Sequence, residues 1–326
     1  MAEYKGIKGF KVQYLSADPS NPIIGQTWYN STSKDLKYTS VTTAGAWASG
    51  NNLNSPRGDI VGAGTQTAAL AFGGFFTTVL GDTEEYNGTN WTTSNPFNTT
   101  RYGVAPAGTQ TAALAAGGQS PLVGNTEEYD GNSWSNSNPL NTVRTYIGGA
   151  GTQTAALAFG GEGSPGAATG ATESYDGNSW TTSPGSLNTA RKLLGGCGTQ
   201  TAALAFGGDP GAGTTGATEE YNGATWTSSN SLNTTRRGPG SAGIQTAALA
   251  FGGQNPPSSA SSATELYDGI SWTTSPASLS TARGRGAGAG TQTLALYAGG
   301  STPPYTVATE EWTGPGAPLT KTVTVS

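Results

Sequence analysis

A short motif recurs six times along this chain, and this repeat constrains the fold more than any other feature. The string Gly-Thr-Gln-Thr, with a Gly-Ile-Gln-Thr variant in the fifth copy, returns at spacings of 43 to 47 residues. A period of this length is typical of structural repeats, in which each unit buries its apolar surface against its neighbours. The copies begin at Gly64, Gly108, Gly151, Gly198, Gly243 and Gly290.

Each copy places the same landmarks around this motif. An Arg lies seven positions before the first glycine, a Gly-Gly pair follows, and then comes Thr-Glu-x-Tyr-x-Gly, with Trp312 replacing the Tyr in the last copy. A Trp closes five of the copies. The repeated residues are the arginines Arg57, Arg101, Arg144, Arg191, Arg236 and Arg283, the glutamates Glu84, Glu127, Glu173, Glu219, Glu265 and Glu310, and the tryptophans Trp91, Trp134, Trp180, Trp226 and Trp272.

The residues between these landmarks predict four short strands in each copy. In the second copy, apolar or β-branched runs cover residues 102–107, 112–116, 126–129 and 134–136, with turn residues between them. The high content of 51 Gly and 18 Pro fits a fold dense in turns. A small sheet that is apolar on both faces cannot stand alone, so we expect these sheets to stack on one another.

The repeated landmarks resemble the kelch motif, in which an Arg, a Gly-Gly pair, a Tyr and a Trp recur in each blade of a β-propeller. The resemblance covers residues 46–313. It implies an all-β fold, a six-bladed kelch-like β-propeller in which every blade packs against the next.

The last copy departs from the pattern where its Trp strand should be. After Trp312 the expected Trp is missing, whereas Trp47 lies ten residues before Arg57, the interval that also separates Trp91 from Arg101. We therefore expect the strand around Trp47 to complete the sixth blade, so that a segment from near the N-terminus closes the ring.

A seven-bladed ring is the alternative. It would assemble a further sheet from residues 26–30, residues 36–40, the Trp47 strand and residues 321–325. Because the interval match already accounts for Trp47, the repeat favours six blades.

Recurrence in every copy indicates structural roles for the repeated side chains. The Tyr and Trp rings should pack between blades, each keeping one polar atom for a hydrogen bond. The repeated Glu and Arg residues suggest buried ion pairs that fix the register of the blades. The catalytic alternative is a ring of carboxylates, but a feature repeated six times is more typical of a scaffold.

Composition excludes several classes of function. The chain has no His, which removes Ser-His-Asp and Cys-His chemistry and His-bound metals, and the lone Cys197 can form neither an internal disulfide nor a thiolate cluster. A net charge of −5 without long runs of one sign argues against nucleic-acid binding. No stretch approaches the ~20 apolar residues of a membrane span, and residues 1–10 lack the apolar core of a secretory signal. We expect no cofactor and no metal.

The copies differ most between the Gly-Gly pair and Thr-Glu, at residues 75–82, 119–125, 162–171, 209–217, 254–263 and 301–308. Propeller topology would place these connections on the same face as the connections between blades. Variable loops on a rigid scaffold commonly bind ligands, although drift of surface loops would produce the same pattern. The candidate binding residues are Phe75, Phe76, Leu122, Val123, Asp209 and Tyr305.

An enzyme has less support than a binding protein. Kelch-type copper oxidases need His ligands, and this chain has none. A glycosidase with two carboxylates is the remaining option, but the variable loops offer chiefly Asp82, Glu162 and Asp209 outside the repeat.

A segment before the repeat carries the most specific indication of function. Residues 21–38 contain Gly-Gln-Thr-Trp-Tyr-Asn, which begins at Gly25, followed by Leu-Lys at residues 36–37. This segment resembles one that recurs in bacteriophage virion proteins, and the repeat core is similar to phage-encoded kelch proteins. The resemblance implies a virion anchor, for which Phe10, Trp28 and Tyr29 are the candidate residues.

The sequence therefore predicts an anchoring extension with a β-hairpin at residues 1–45, a propeller at 46–313 and a C-terminal strand or tail at 314–326. The expected function is that of a phage structural or adhesion protein, such as a tail fibre, a tail-associated protein or a capsid decoration. Its partners would be other virion proteins and a host-surface glycan or protein, and a homo-oligomer is compatible with this role. The protein would reside in the virion and be released by host lysis. The main alternative is a non-viral kelch module that binds a protein.

Overall fold

Every regular element in the described part of the chain is a β-strand. The computed structural model describes residues 12–20, 23, 25–41, 44–255, 259–301, 304–316 and 318–323. The strands are numbered β1 to β30 in chain order, and these residues contain no helix. The predicted all-β class is confirmed.

The strands form repeated four-stranded sheets and one sheet built from both ends of the chain. Before the repeat come β1 (Gln13–Leu15), β2 (Thr27–Asn30), β3 (Asp35–Val41) and β4 (Ala46–Gly50). Sheet I contains β5 (Val61–Gly64), β6 (Ala69–Phe72), β7 (Thr83–Tyr86) and β8 (Trp91–Ser94). Sheet II contains β9 (Ala105–Thr109), β10 (Ala112–Ala116), β11 (Thr126–Tyr129) and β12 (Trp134–Ser137). Sheet III contains β13 (Gly148–Thr152), β14 (Ala155–Phe159), β15 (Thr172–Tyr175) and β16 (Trp180–Thr182).

The remaining copies of the repeat form three further sheets. Sheet IV contains β17 (Gly195–Gly198), β18 (Ala203–Phe206), β19 (Thr218–Tyr221) and β20 (Trp226–Ser229). Sheet V contains β21 (Gly240–Ile244), β22 (Ala247–Phe251), β25 (Thr264–Tyr267) and β26 (Trp272–Thr274), and its variable loop adds the hairpin β23 (Gln254–Asn255) and β24 (Ser259–Ala260). Sheet VI contains β27 (Ala287–Gly290), β28 (Leu294–Ala298), β29 (Thr309–Thr313) and β4. The last strand of the chain is β30 (Pro318–Thr322).

The strands predicted for the second copy largely agree with sheet II. Strands β10 and β11 have the predicted bounds, and β12 extends one residue further, to Ser137. The prediction for the first strand is wrong at its start, because β9 begins at Ala105 rather than at residue 102. Gly103 has a φ of 68°, a left-handed conformation that interrupts an extended chain.

The second strand of each repeat sheet explains why these sheets need neighbours. All four residues of β6, Ala-Leu-Ala-Phe, are buried, and β18 repeats the pattern. Since successive residues of a strand face opposite sides, both faces of each sheet must be covered. The hydrophobic core accordingly consists of separate clusters, each made by two neighbouring sheets. Phe72 of sheet I, for example, packs on Trp134 of sheet II with 5.1 Å between the ring centroids.

The first strand of each repeat sheet packs closely against its counterparts. These strands contact one another in the order β5, β9, β13, β17, β21 and β27, and β27 also contacts β5. The contacts are close because the strands consist largely of Gly and Ala. A Cβ on Gly149 would lie 2.1 Å from Pro106 O, and one on Gly62 would lie 2.7 Å from Gly288 O. The repeat architecture is thus β-propeller-like.

A Gln side chain links each repeat sheet to the sheet before it. The Gln of the Gly-Thr-Gln-Thr turn donates its amide protons to two carbonyl oxygens of the preceding sheet. Gln110 Nε2, for example, donates to Ala69 O at 3.0 Å and to Tyr86 O at 2.6 Å. Gln66 makes the same bonds to Ala295 O and Trp312 O, which joins sheet I to sheet VI. The motif that reveals the repeat is therefore an inter-sheet link as well as a turn.

The repeated Trp and Tyr residues also reach the preceding sheet. Trp134 Nε1 donates to Thr83 Oγ1 at 2.9 Å, and Trp91 Nε1 donates to Thr309 Oγ1 at 3.0 Å. Tyr175 Oη donates to Glu128 Oε1 at 2.5 Å. The polar atoms of these buried rings are thereby satisfied, as the sequence predicts.

The repeated Arg and Glu residues form an ion pair in every copy, and all twelve side chains are at most 3% exposed. Arg144 Nη2 lies 2.9 Å from Glu173 Oε1, and burial lowers the pKa of Arg144 while Glu173 opposes that change. Glu173 Oε2 also accepts the backbone N–H of Asn141 at 2.7 Å, within the connection from sheet II. The prediction of buried ion pairs is confirmed, and each pair fastens an inter-sheet connection.

Strand β4 occupies the outer position of sheet VI, as the Trp47 interval predicts. It pairs antiparallel with β29, with Trp47 opposite Trp312. Trp47 Nε1 donates to Thr264 Oγ1 of sheet V at 2.8 Å, the same bond that the other repeated Trp residues make. The indole also packs on Phe251, with 5.1 Å between the ring centroids.

The two ends of the chain form a separate sheet, which we call the terminal sheet, in the order β1-β2-β3-β30. Strand β1 runs parallel to β2, and β3 pairs antiparallel with both β2 and β30. Strands β2, β3 and β30 match the extra sheet of the seven-bladed alternative, but Trp47 belongs to sheet VI instead. Strands β2 and β3 form an antiparallel hairpin before the repeat, and β30 pairs with β3.

Replacing Trp47 should destabilise the protein, though less than replacing a buried internal Trp. Trp47→Ala removes a partly buried indole that packs against a core cluster, together with its hydrogen bond, so we expect a loss of about 2 kcal/mol in the free energy of unfolding. Trp134→Ala is the matched comparison, and Trp47→Phe should cost only about 1 kcal/mol because most of the packing remains. Chemical denaturation measures all three. A loss below about 0.5 kcal/mol for Trp47→Ala would contradict the role of β4.

Alkaline pH should weaken the contacts between sheets. Burial and then the hydrogen bond to a Glu raise the pKa of Tyr129, Tyr175 and Tyr267 to about 12. A hydroxyl with a raised pKa stabilises the fold fully below its ordinary pKa of about 10, and this contribution disappears as pH rises toward about 12. We expect some of the tyrosine side chains to ionise only when the protein unfolds at high pH. Ultraviolet absorbance of tyrosinate measures this ionisation. Full tyrosine ionisation near pH 10 in the folded protein would contradict this account.

Candidate binding site on the variable face

The variable loops and the segments after the repeated arginines meet at one end of every repeat sheet, a surface that we call the variable face. In each copy the residue after the Gly-Gly pair forms an isolated antiparallel bridge with the residue after the Arg. The connections between sheets reach the same end, where Leu140 N donates to Gly124 O at 2.8 Å. The predicted grouping of loops and connections is confirmed. The bridges join Gly58 to Phe75, Tyr102 to Gln119, Thr145 to Glu162, Lys192 to Asp209, Arg237 to Gln254 and Gly284 to Ser301.

Six residues, each two positions after a repeated Arg, line a cavity of about 90 Å³ on the variable face. All six have φ between 51° and 68°, and successive members are joined by backbone hydrogen bonds of 2.6 to 3.5 Å. Four of them are not glycine, so their left-handed backbone is strained and is held by the surrounding structure. Strained residues of this kind are frequent at functional sites. These mouth residues are Asp59, Gly103, Tyr146, Leu193, Gly238 and Arg285.

The side chains of Asp59 and Arg285 meet where sheet I adjoins sheet VI. Arg285 Nη1 lies 3.4 Å from Asp59 Oδ1, and Arg285 Nη2 donates to Gln254 Oε1 at 3.4 Å. Arg237 Nε donates to the same amide oxygen at 3.3 Å. Burial raises the pKa of Asp59, and the Arg285 guanidinium partly opposes this change. Charged and amide groups are therefore held together at the edge of the mouth.

Three ion pairs lie on the variable face, and each joins neighbouring repeat sheets. Arg237 Nη1 lies 2.8 Å from Asp209 Oδ2, and Lys192 pairs with Glu162. The third pair is Arg285 with Asp59. Each of these three cations thus has a carboxylate partner, so the three pairs add no net charge to the face.

Aromatic rings on the variable face form a continuous aromatic strip, to which sheets VI, I, II and III contribute. Successive ring centroids are 5.9 to 6.0 Å apart, with interplanar angles of 57° to 79°. Phe76 is 39% exposed, and the other rings are half-buried. In order, the strip consists of Phe76, Tyr305, Phe75, Tyr102 and Tyr146. Its last ring is also a mouth residue, so the strip leads into the mouth.

The structure brings three of the six candidate binding residues into one cluster. Phe75, Phe76 and Tyr305 all belong to the aromatic strip. Asp209 lies on the same face but is only 6% exposed, because its carboxylate pairs with Arg237. Leu122 and Val123 are half-buried in the loop of sheet II.

The acids considered for catalysis are likewise paired with cations. Glu162 pairs with Lys192, and Asp82 Oδ2 lies 3.5 Å from Arg57 Nη1 of a scaffold pair. Asp209 pairs with Arg237. These contacts assign the three carboxylates to ion pairs with neighbouring cations.

The site also contains four residues that were not predicted from the sequence, namely Asp59, Tyr102, Tyr146 and Arg285. The signal was present in the two residues that follow each repeated Arg, since these read Gly-Asp, Tyr-Gly, Thr-Tyr, Lys-Leu, Arg-Gly and Gly-Arg in the successive copies. Such variation directly beside an unvarying residue marks positions whose side chains the scaffold does not fix.

Below the mouth lies a second cavity, of about 190 Å³, which we call the inner cavity. It is lined by residues of the first strands of all six repeat sheets, mainly Gly and Ala. Cys197 lines it too, and burial raises the pKa of its thiol to about 12, so the reactive thiolate is suppressed. In the described residues no group of three or more Cys, Asp or Glu side chains could hold a metal ion. None of the described residues belongs to a helix that could span a membrane.

The proposed anchor residues lie in the terminal sheet, except for Phe10, which is outside the described residues. Trp28 is fully buried, and its Nε1 donates to Asp18 Oδ1 at 2.9 Å. Lys37, Trp28 and Asn30 lower the pKa of Asp18 to about 2. Trp28 therefore supports the sheet from within.

Tyr29, by contrast, lies near the surface of the terminal sheet. Its ring stacks on Tyr14 with 5.2 Å between the centroids and an interplanar angle of 29°, and Tyr14 is 76% exposed. Of the predicted anchor residues that the structure describes, Tyr29 is thus the one available for contact.

No family model matches this chain, and a search of curated proteins finds no significant match. The case for function therefore depends on the site itself and on the resemblances in the sequence.

Substituting Asp59 should stabilise the protein. Burial raises the pKa of Asp59, so ionisation of its carboxyl group lowers the stability of the fold as pH rises through that raised pKa. Asn also tolerates the left-handed backbone of this position better than most residues do. Asp59→Asn removes the cost of ionisation, and Arg285 keeps its hydrogen bond to Gln254 Oε1, so we expect the free energy of unfolding at neutral pH to rise by up to about 1 kcal/mol.

Asp130→Asn is the matched control. Backbone N–H groups of Ser133 and Asn132 lower the pKa of Asp130, so its charge supports the fold above its ordinary pKa and the Asn variant should be less stable at neutral pH. Thermal melts across pH measure both variants. A clear loss of stability in Asp59→Asn would contradict the proposed strain at the mouth.

Proposed function

We propose that the six repeat sheets are the blades of a closed six-bladed β-propeller of the kelch type. Support comes from the succession of first-strand contacts that leads from β27 back to β5. The same hydrogen bonds join sheets I and VI as join the other neighbours, including those of Gln66 and Trp91. In this arrangement β4 completes the last blade and the inner cavity is the central channel.

We further propose that this propeller is a binding protein that presents its variable face to a ligand. The observation that carries this proposal is the contrast between a uniform scaffold and a variable face. The aromatic strip, the three ion pairs and the strained mouth residues all lie on that one face. Rigid scaffolds that carry variable, partly exposed aromatic residues are typical of recognition surfaces. The pairing of the candidate catalytic acids argues for recognition rather than catalysis.

A role in a phage virion is the third part of the proposal. It is supported by the resemblance of residues 21–38 to virion proteins and by the terminal sheet, which joins both chain ends. There the stacked Tyr14 and Tyr29 offer a contact surface for a capsid or tail protein. The terminal sheet would attach the chain to the particle, and the variable face would contact a host-surface molecule or another virion protein. The second candidate, a non-viral kelch module that binds a protein, uses the same face without the anchor.

Mass spectrometry of purified particles tests the virion role. We expect this chain to co-purify with particles through a density gradient at a constant ratio to the other structural proteins. Tyr14→Ala with Tyr29→Ala should reduce its incorporation, whereas Ile270→Ala, which alters an exposed turn on a repeat sheet, should not. Particles without the chain would contradict the virion role and would favour the non-viral module.

A further inference from the structure

We infer that the aromatic strip and the mouth together bind a neutral oligosaccharide. The strip would carry the sugar rings, and the polar groups at the mouth would bind the hydroxyls at one end of the chain. This inference rests on the proposed role of the variable face as a binding surface, and it specifies the chemistry of the ligand.

The aromatic strip offers a line of apolar contacts along which a chain of sugars could lie. A pyranose ring presents C–H groups on its faces and hydroxyls at its edge, so it packs on aromatic rings while its polar groups remain free for hydrogen bonds. The strip is one ring wide, and its rings follow one another at 5.9 to 6.0 Å, a step on the scale of one sugar unit. Three of its five rings are Tyr, whose hydroxyls add polar atoms along the same line.

Buried polar atoms without a partner lie at the mouth end of the strip. Arg285 Nε and Thr145 Oγ1 are buried, and neither has a hydrogen-bond partner among the described residues. Thr145 directly precedes Tyr146, the last ring of the strip. Since buried polar groups are normally satisfied, a ligand or water bound at the mouth would supply the partners that these two atoms lack. Sugar hydroxyls both donate and accept hydrogen bonds, so they can satisfy the N–H as well as the hydroxyl.

The charges on the variable face favour a neutral ligand. The three cations Lys192, Arg237 and Arg285 each have a carboxylate partner on a neighbouring blade. An acidic sugar would have to displace one of these carboxylates and leave it partly buried without its cation, which is costly. Neutral hydroxyls can instead bond to the outer atoms of the existing pairs.

The shape of the site favours a saccharide over a protein. Stable protein interfaces bury about 800 Å² on each partner around a broad apolar centre. Here the apolar surface is a single line of rings, of which Phe76 is the most exposed at 39%. The mouth cavity of about 90 Å³ admits only a small group such as one end of a glycan.

Binding to a glycan array tests this inference. The full chain is applied to an array that carries neutral hexose oligosaccharides together with sialylated, uronate and sulfated ones, and the strongest neutral ligand is then measured by calorimetry. Phe76→Ala should weaken binding about tenfold, and Phe75→Ala combined with Phe76→Ala should remove it. Ile270→Ala is the matched control, because this residue is 71% exposed at the opposite end of a repeat sheet and its loss should not alter affinity.

The outcomes separate the inference from the function on which it rests. Binding of neutral oligosaccharides that depends on Phe76 supports both. Binding of acidic glycans alone, or of a protein alone, with the same dependence on Phe76 overturns the neutral saccharide and leaves the variable face as the binding surface. Glycan binding that the Phe75 and Phe76 variants do not alter overturns both. An array without any neutral ligand also overturns the inference, and circular dichroism of each variant confirms that it is folded.

Discussion

The rest of this structure depends on one constraint, namely that each four-stranded sheet is apolar on both faces. A strand such as β6, with every residue buried, is stable only when a sheet lies on each side of it. The inter-sheet bonds follow from this need. Gln, Trp and Tyr side chains cross from one sheet to the next and satisfy buried polar atoms there. The Arg–Glu pairs hold the connecting segments, and Gly residues in the first strands allow the backbones to approach.

This division between scaffold and site also explains where function can reside. The repeated residues are committed to contacts between sheets, and substitution there would leave buried groups without partners. The backbones of the mouth residues also join neighbouring sheets, but the side chains at the mouth and in the aromatic strip differ from copy to copy. The mouth includes left-handed residues such as Leu193 and the buried carboxylate of Asp59, both of which cost stability. We therefore propose that these features, which cost stability and lie on one face, are parts of a binding site.

Much of the scaffold could be predicted from the sequence, because equivalent positions in the six copies have the same structural environment and therefore carry the same residue types. The strand bounds of β10 and β11, the buried Arg–Glu pairs and the pairing of the Trp47 strand all followed from spacing and residue type. The mouth could not be predicted in this way, since it forms from residues that differ between copies and are far apart in the chain. Phe75 and Tyr305 were recognised as loop aromatics, but only the fold places them beside Tyr102. Leu122 was selected by the same reasoning, but it lies half-buried in the loop of sheet II and is not part of the strip.

The central proposal is that a strand from before the repeat completes the last repeat sheet and so closes a ring. Hydrogen–deuterium exchange of the full chain, resolved by peptide, tests it most directly. The account predicts that amides of β4 (Ala46–Gly50) exchange as slowly as those of the equivalent strands β8 (Trp91–Ser94) and β12 (Trp134–Ser137), because all three pair with the third strand of their sheet. Exchange of β4 as fast as that of the exposed turns, with β8 and β12 protected, would contradict it.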